Sequence, residues 1–159
     1  DPNPVLFFEH KALYRSIYGE VSEGYYHLPM GQAAVVREGS RATVITYGAG
    51  VHWALDLATE TDWDFEVIDL RSLMPLDEDS ILASVRKTNK ALVLTEDTLF
   101  GSVASDIAAL INEQAFDALD APVLRVGSLD TPVPFAKELE EGFLAKAQLK
   151  ERLEYLLNY

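Results

Sequence analysis

The chain has 159 residues, is 48% hydrophobic, and carries 26 acidic against 13 basic residues, a formal charge of −13. That length and apolar content suit one compact domain burying roughly 70% of the surface its unfolded chain exposes, while the negative charge repels phosphate backbones and anionic lipid heads and so argues against nucleic acid and membrane as partners. The absence of cysteine excludes a disulfide framework, a thiolate metal site and a cysteine nucleophile and fits a cytoplasmic protein; no apolar run approaches the roughly 20 residues that span a bilayer, and Asp1-Pro2-Asn3-Pro4 lacks the pattern of a signal peptide.

Val5-Leu6-Phe7-Phe8 reads as a buried strand. From Tyr14 to Gln32 the chain carries Gly19, Gly24, Pro29 and Gly31 with no clear period, as a linker lying along a surface does. A lone strand followed by a linker cannot cover its own two faces, so this strand is expected to belong to a preceding domain or to pair with one. Regular alternation then begins. Residues 33–36 and 42–47 read as strands separated by a turn at Gly39-Ser40, and Val51, Ala54, Leu55 and Ala58 recur at helical spacing over 49–59. A strand over 65–68 follows, then a helix from an Asp77 N-cap to Lys87, whose charge suits the C-terminal dipole. A strand over 91–94, a helix over 103–116 and a strand over 123–126 complete the pattern. The tail from Glu138 to Tyr159 is helical in composition, but its apolar phase slips between Ala147 and Leu149, which predicts two short helices or a kink. Such alternation gives a three-layer α/β/α domain with a mostly parallel sheet.

Gly48-Ala49-Gly50-Val51-His52-Trp53 follows a strand and opens a helix, with Asp69 about 20 residues further on, in imitation of a dinucleotide fingerprint. Trp53 stands where that fingerprint needs a third glycine, so a tight strand-to-helix turn is the favoured reading. His10, His27 and His52 show no metal-ligand spacing, and His52 has no acid or nucleophile near it in sequence, which reads as packing or capping and not as a zinc site. Glu96-Asp97, before Gly101-Ser102, occupies the position where α/β folds bind ligands. Paired acids there either bind a cation, perform acid-base work, or complement a helix dipole, and the last is favoured. The cluster Glu138, Glu140, Glu141 is explained the same way.

Several segments together resemble the beta chains of the decarboxylating components of pyruvate and branched-chain 2-oxo acid dehydrogenases. They are Val5-Leu6-Phe7-Phe8-Glu9-His10-Lys11-Ala12-Leu13-Tyr14-Arg15, Tyr26-His27-Leu28-Pro29-Met30-Gly31-Gln32-Ala33, Val67-Ile68-Asp69-Leu70-Arg71-Ser72-Leu73-Met74-Pro75-Leu76-Asp77, Pro122-Val123-Leu124-Arg125-Val126 and Asp130-Thr131-Pro132-Val133-Pro134-Phe135. The chain differs from many of these relatives in having His10 where they have proline, and Gly101-Ser102 where they have paired glycines. The resemblance implies a transketolase C-terminal-like domain over 33–159, with 1–32 supplying the last strand of a thiamine-binding domain and an interdomain linker.

For the whole enzyme the resemblance implies oxidative decarboxylation of a branched-chain 2-oxo acid or pyruvate with acyl transfer to lipoamide. Val51-His52 and Asn158-Tyr159 incline the reading to branched-chain substrates. Thiamine diphosphate and magnesium would bind in the intact enzyme and not to this chain, which is expected to contain no catalytic or cofactor-binding residue. The implied partners are an alpha chain or alpha-like domain, a lipoyl-bearing acyltransferase core and a second copy. In relatives with a structural potassium ion, loop carbonyls matching Asp1 and Asn3 are ligands. Phe7 and Phe8 are assigned to assembly. Asp117, Asp120 and the Tyr159 carboxylate are assigned to partner binding, because acids at the exit of the helix ending near Phe116 oppose its dipole and gain nothing locally. Two rivals stand beside this reading: the equivalent domain of transketolase or deoxyxylulose phosphate synthase, and a stand-alone nucleotide-binding module using Gly48 to Gly50.

Overall fold

The computed structural model describes residues 3, 4 and 6–159. Asp1, Pro2 and Val5 lie outside the described residues, so the expected first strand can be followed only from Leu6. Residues 6–10 form no strand, and Leu6, Phe7 and Phe8 are exposed. A single 3-10 turn, Lys11–Arg15, follows and buries none of its residues. The segment then runs without regular structure to Gln32.

The remaining elements are β1 (Ala34–Arg37), β2 (Thr43–Thr46), α1 (Ala49–Glu60), β3 (Glu66–Asp69), α2 (Glu78–Thr88), β4 (Ala91–Thr98), α3 (Val103–Ala115), β5 (Leu124–Ser128), α4 (Lys137–Phe143) and α5 (Lys146–Asn158). The strands form one sheet in the order β1-β3-β2-β4-β5. All neighbours are parallel except β1, which caps the edge antiparallel to β3. Side chains alternate between the two faces, as a pleated strand requires. Val44, Val67, Leu92 and Val126 join one apolar cluster with Ala54 and Leu57 of α1 and Leu149, Leu153 and Leu156 of α5. Ile45, Ile68 and Val93 join the other with Ile81 and Val85 of α2 and Ile107 and Ile111 of α3. The result is a three-layer sandwich. Each fully buried leucine or isoleucine in it contributes on the order of 1.5–3 kcal/mol of transfer free energy.

The helix faces follow from crossover handedness. A parallel crossover is right-handed in nearly all folds, so steps in one direction along the sheet place their helices on one face and steps in the other direction on the opposite face. The chain steps outward from β2 to β3, then returns across β2 to β4 and continues to β5. Accordingly α1 lies on one face and α2 and α3 on the other. The reversal leaves a switch point between the C-terminal ends of β2 and β4.

The tail does form two helices, but the break falls at Leu144-Ala145 and not between Ala147 and Leu149. Phe143, Ala145 and Leu149 are all buried, and seating Ala145 and Leu149 in the same cluster as Leu153 and Leu156 goes with a turn of the chain before the apolar phase slips. No helix of the described residues is long and apolar enough to cross a membrane.

Asp77 joins the linker to the domain. Its Oδ1 accepts from Ser80 N at 3.1 Å, which caps α2, while its Oδ2 accepts from Ser80 Oγ at 2.8 Å and from Ala33 N at 2.8 Å. Burial pushes this carboxyl up, but the bonds from the Ala33 N–H, the Ser80 hydroxyl and the Ser80 N–H outweigh it and hold Asp77 below its ordinary range. A depressed carboxylate contributes stability that is present above its unfolded pKa of about 3.9 and is lost as pH falls through the lower folded value. Asp77→Ala should therefore lower unfolding free energy by about 1–2 kcal/mol at neutral pH, with the deficit shrinking below about pH 4. Urea unfolding of both proteins at neutral and acidic pH checks this.

Candidate functional site at the sheet switch point

The crevice at the switch point has a volume of about 230 Å³ and is lined by Phe8, Glu9, His10, Tyr47, Gly48, Ala49 and Glu96. β2 delivers Tyr47 and the turn into α1, and β4 delivers Thr95 and Glu96. Tyr47 Oη and Thr95 Oγ1 are 2.9 Å apart and tie the two strand ends together. Across the opening, His10 Nε2 lies 2.9 and 3.1 Å from the two Glu96 carboxylate oxygens. The chain's own histidine thus occupies the place where an open α/β sheet receives a ligand. Sequence reasoning singled out both residues but did not join them, since 86 positions separate them.

The fingerprint-like turn is a packing device. Gly48 adopts φ 56°, a left-handed value that costs a side-chain-bearing residue about 1–2 kcal/mol. A Cβ on Gly50 would stand 2.1 Å from Thr46 Oγ1, so only glycine lets α1 approach β2 this closely. Trp53 packs against the apolar cluster beneath α1. Asp69, the acid that would read a ribose in a dinucleotide site, instead accepts from Arg71 N at 3.2 Å and pairs with the Arg71 side chain at 3.5 Å. No lysine or arginine lines the crevice among the described residues, and the carboxylates of Glu9 and Glu96 repel a phosphate.

Glu96 and Asp97 do not complement a helix dipole as expected. β4 continues through them to Thr98, Glu96 faces His10, and Asp97 Oδ1 accepts from Thr98 N at 2.8 Å. His27 packs edge-on against Tyr25, ring centroids 4.9 Å apart. His52 is half-buried on α1 and makes no hydrogen bond or ion pair among the described residues. Glu138, Glu140 and Glu141 do lie on α4, and Lys137 pairs with Glu141 at 3.7 Å.

Two of the three residues assigned to partner binding share a hollow at the N-terminal ends of the strands. Asp120 and Tyr159 line one cavity of about 370 Å³ with Phe116, Asn112, Leu119, Ala121 and Pro122. Asp117, expected to gain nothing locally, has a partner in Arg86 Nη1, at 3.2 Å. Helix α2 ends beside the exit of α3, so a cation of one answers the acid of the other. With side chains 46% and 79% exposed, the pair contributes no more than about 1 kcal/mol. Asn3 is exposed in a bend, and Asp1 lies outside the described residues.

A second polar centre was not anticipated. Glu66, at the start of β3, is almost fully buried and accepts from Ser84 Oγ and Lys87 Nζ. Ser84 Oγ contacts Thr43 Oγ1 at 2.7 Å, which contacts Thr88 Oγ1 at 2.7 Å. Lys87 also reaches Glu38 at 2.6 Å. Hydrogen bonds to Glu38 and then Glu66 raise the Lys87 ammonium above its usual value, and the bond from Lys87 chiefly lowers Glu38. A buried carboxylate satisfied in this way is structural.

Layer order, crossovers and a crevice at a sheet reversal define a doubly wound α/β domain. Residues 31–148 match the family model described as "Transketolase, C-terminal domain", and the chain belongs to that family. It is 44% identical over 98% of its length to the 2-oxoisovalerate dehydrogenase subunit beta of Bacillus subtilis (strain 168), covering 50% of that protein. It is 46% identical over 86% of its length to the pyruvate dehydrogenase E1 component subunit beta of the same organism, covering 43% of it. The chain therefore spans about half the length of the curated relatives it matches. A solved split-gene transketolase, an inactive beta4 tetramer, superposes with TM-score 0.70 at 24% identity over 88% of this chain and 46% of its own, a likeness of fold.

If the turn is a packing constraint, Gly50→Ala should lower unfolding free energy by about 1–3 kcal/mol, because Thr46 is fully buried and a methyl at 2.1 Å must displace it. A thermal melt indistinguishable from the parent protein would show that α1 can retreat from β2 at no cost.

Proposed function

We propose that the chain is the C-terminal assembly and partner-binding domain of the decarboxylating component of a 2-oxo acid dehydrogenase complex. The whole enzyme would decarboxylate a branched-chain 2-oxo acid or pyruvate oxidatively and pass the acyl group to lipoamide. The observation that carries this reading is the 44–46% identity, over nearly the whole chain, to beta subunits of two such dehydrogenases. Near-equal identities favour neither substrate. The rivals have less support: the crevice holds a histidine and two carboxylates where a nucleotide phosphate would sit, and the transketolase likeness is one of fold.

Residues 33–159 form the domain, and residues 1–32 serve as the last strand of a preceding thiamine-binding domain and its linker. Exposed Phe7 and Phe8 support an assembly role, since two adjacent side chains in an extended segment point to opposite faces and each ring buries on the order of 150–250 Å² when covered. An alpha chain, or alpha-like domain, and a second copy of this chain are the proposed neighbours, in the cytoplasm.

Thiamine diphosphate does not fit the residues present here. The crevice has no cation for a diphosphate, and the described residues bring together no group of three or more metal-ligating side chains. In the intact enzyme the cofactor and magnesium would be held by other parts, with the backbones of Asp1 and Asn3 at a structural potassium site.

The edge carrying Asp117, Asp120 and Tyr159 is assigned to a basic subunit-binding domain of the lipoyl-bearing acyltransferase. Exposed acids around an apolar hollow support it, because complementary charge chiefly accelerates association. Surface plasmon resonance against that basic domain is the test. Asp117→Ala with Asp120→Ala should slow association roughly threefold at low salt and flatten the salt dependence, which follows a Debye length of about 8 Å at physiological ionic strength. Identical association rates and salt slopes for both proteins would show these acids to be ordinary solvated surface.

A further inference from the structure

Between residues 6 and 30, among the described residues, the bond from His10 to Glu96 is the only hydrogen bond or ion pair that reaches the sheet domain. The other polar contacts of this stretch are local: Tyr14 with Glu9, Ser16 Oγ with Ala12 O, and the backbone bonds of the 3-10 turn. The next tie is at Gly31, whose N–H donates to Ser72 Oγ at 3.1 Å. A long exposed stretch of chain is thus pinned at one interior point, and that point is the switch-point crevice.

The crevice pairs one nitrogen of the imidazole. Glu96 presents both oxygens to Nε2, which therefore must carry a proton, while Tyr47 is held in place by Thr95. His10 Nδ1 is withdrawn from solvent and has no hydrogen-bond partner, while the side chain as a whole stays 31% exposed, so the ring is partly inserted with Nε2 turned to Glu96.

We infer that the crevice is a receptor for the chain's own entering segment, and that the His10–Glu96 pair is a latch setting how often this segment lifts off the domain. While closed, it holds Phe8 and Glu9 against the crevice at the C-terminal strand ends. Opening it frees the stretch up to Gly31 without disturbing either apolar cluster. The inference rests on geometry alone and is independent of the activity proposed above.

Trypsin reads the latch directly, because Lys11 adjoins His10 and Arg15 lies one turn further on. A protease must draw several residues on each side of a bond into its cleft, so cleavage after Lys11 needs His10 released, whereas cleavage after Arg15 needs only the 3-10 turn to open. Where opening is fast, cleavage tracks the open population. Glu96→Ala leaves the sequence around both bonds untouched. It should raise the ratio of Lys11 to Arg15 cleavage about fivefold, equivalent to about 1 kcal/mol, and Glu96→Gln, which keeps an acceptor, should raise it less. A ratio for Glu96→Ala that stays within about twofold of the parent, including the case where every site is cleaved faster together, overturns the latch.

Discussion

Crossover connections on a twisted sheet keep one hand, and the molecule is organised by what that demands when the chain reverses direction. Stepping from β2 to β3 and then back across β2 to β4 sends α1 and α2 to opposite faces. Two separate apolar clusters follow, and with them strands that are apolar on both sides. The same reversal parts the connections at the ends of β2 and β4 and so creates the crevice. Everything that distinguishes this chain from a generic doubly wound domain is a matter of what fills that crevice and what remains exposed around it.

The two ends of the strands differ in character. At the C-terminal strand ends lie the latched segment with exposed Phe7 and Phe8, and the loops bearing exposed Met74, Phe100 and Phe135. These residues form an apolar fringe of the sort covered in an assembly. The N-terminal strand ends carry a charged cluster of their own. Glu66 is buried there, with Lys87 and Glu38 as its outlet to solvent. Asp117, Asp120 and Tyr159 sit at the far side of the same end.

Much of this architecture was legible in the sequence because it depends on local patterns. Strands β2 to β5 announce themselves as short apolar runs, α1 to α3 by their stripes, and Asp77 by its place before a helix. The misses share a cause. β4 runs on through Glu96-Asp97 because Thr98 pairs with Ser128 across a register shift, which no propensity records. Lys87 was read as a dipole partner, yet it spans 21 positions to a carboxylate hidden at a strand start. Glu96 was weighed as a cap or a ligand, and its partner proved to be a histidine 86 positions earlier. Side-chain pairs that cross the fold have no period, so they become visible only in three dimensions. Phe7 and Phe8 are an instructive case: their apolar run reads as a strand, yet residues 6–10 form none and pair with no strand of this sheet.

The assembly role proposed above places the cofactor site outside this chain. The central claim is therefore tested most directly by titrating this chain with thiamine diphosphate and magnesium in a calorimeter. No binding tighter than about 10 μM is predicted, whereas a tighter constant, about −7 kcal/mol or beyond, would mean a largely formed cofactor site within these residues and would contradict the account.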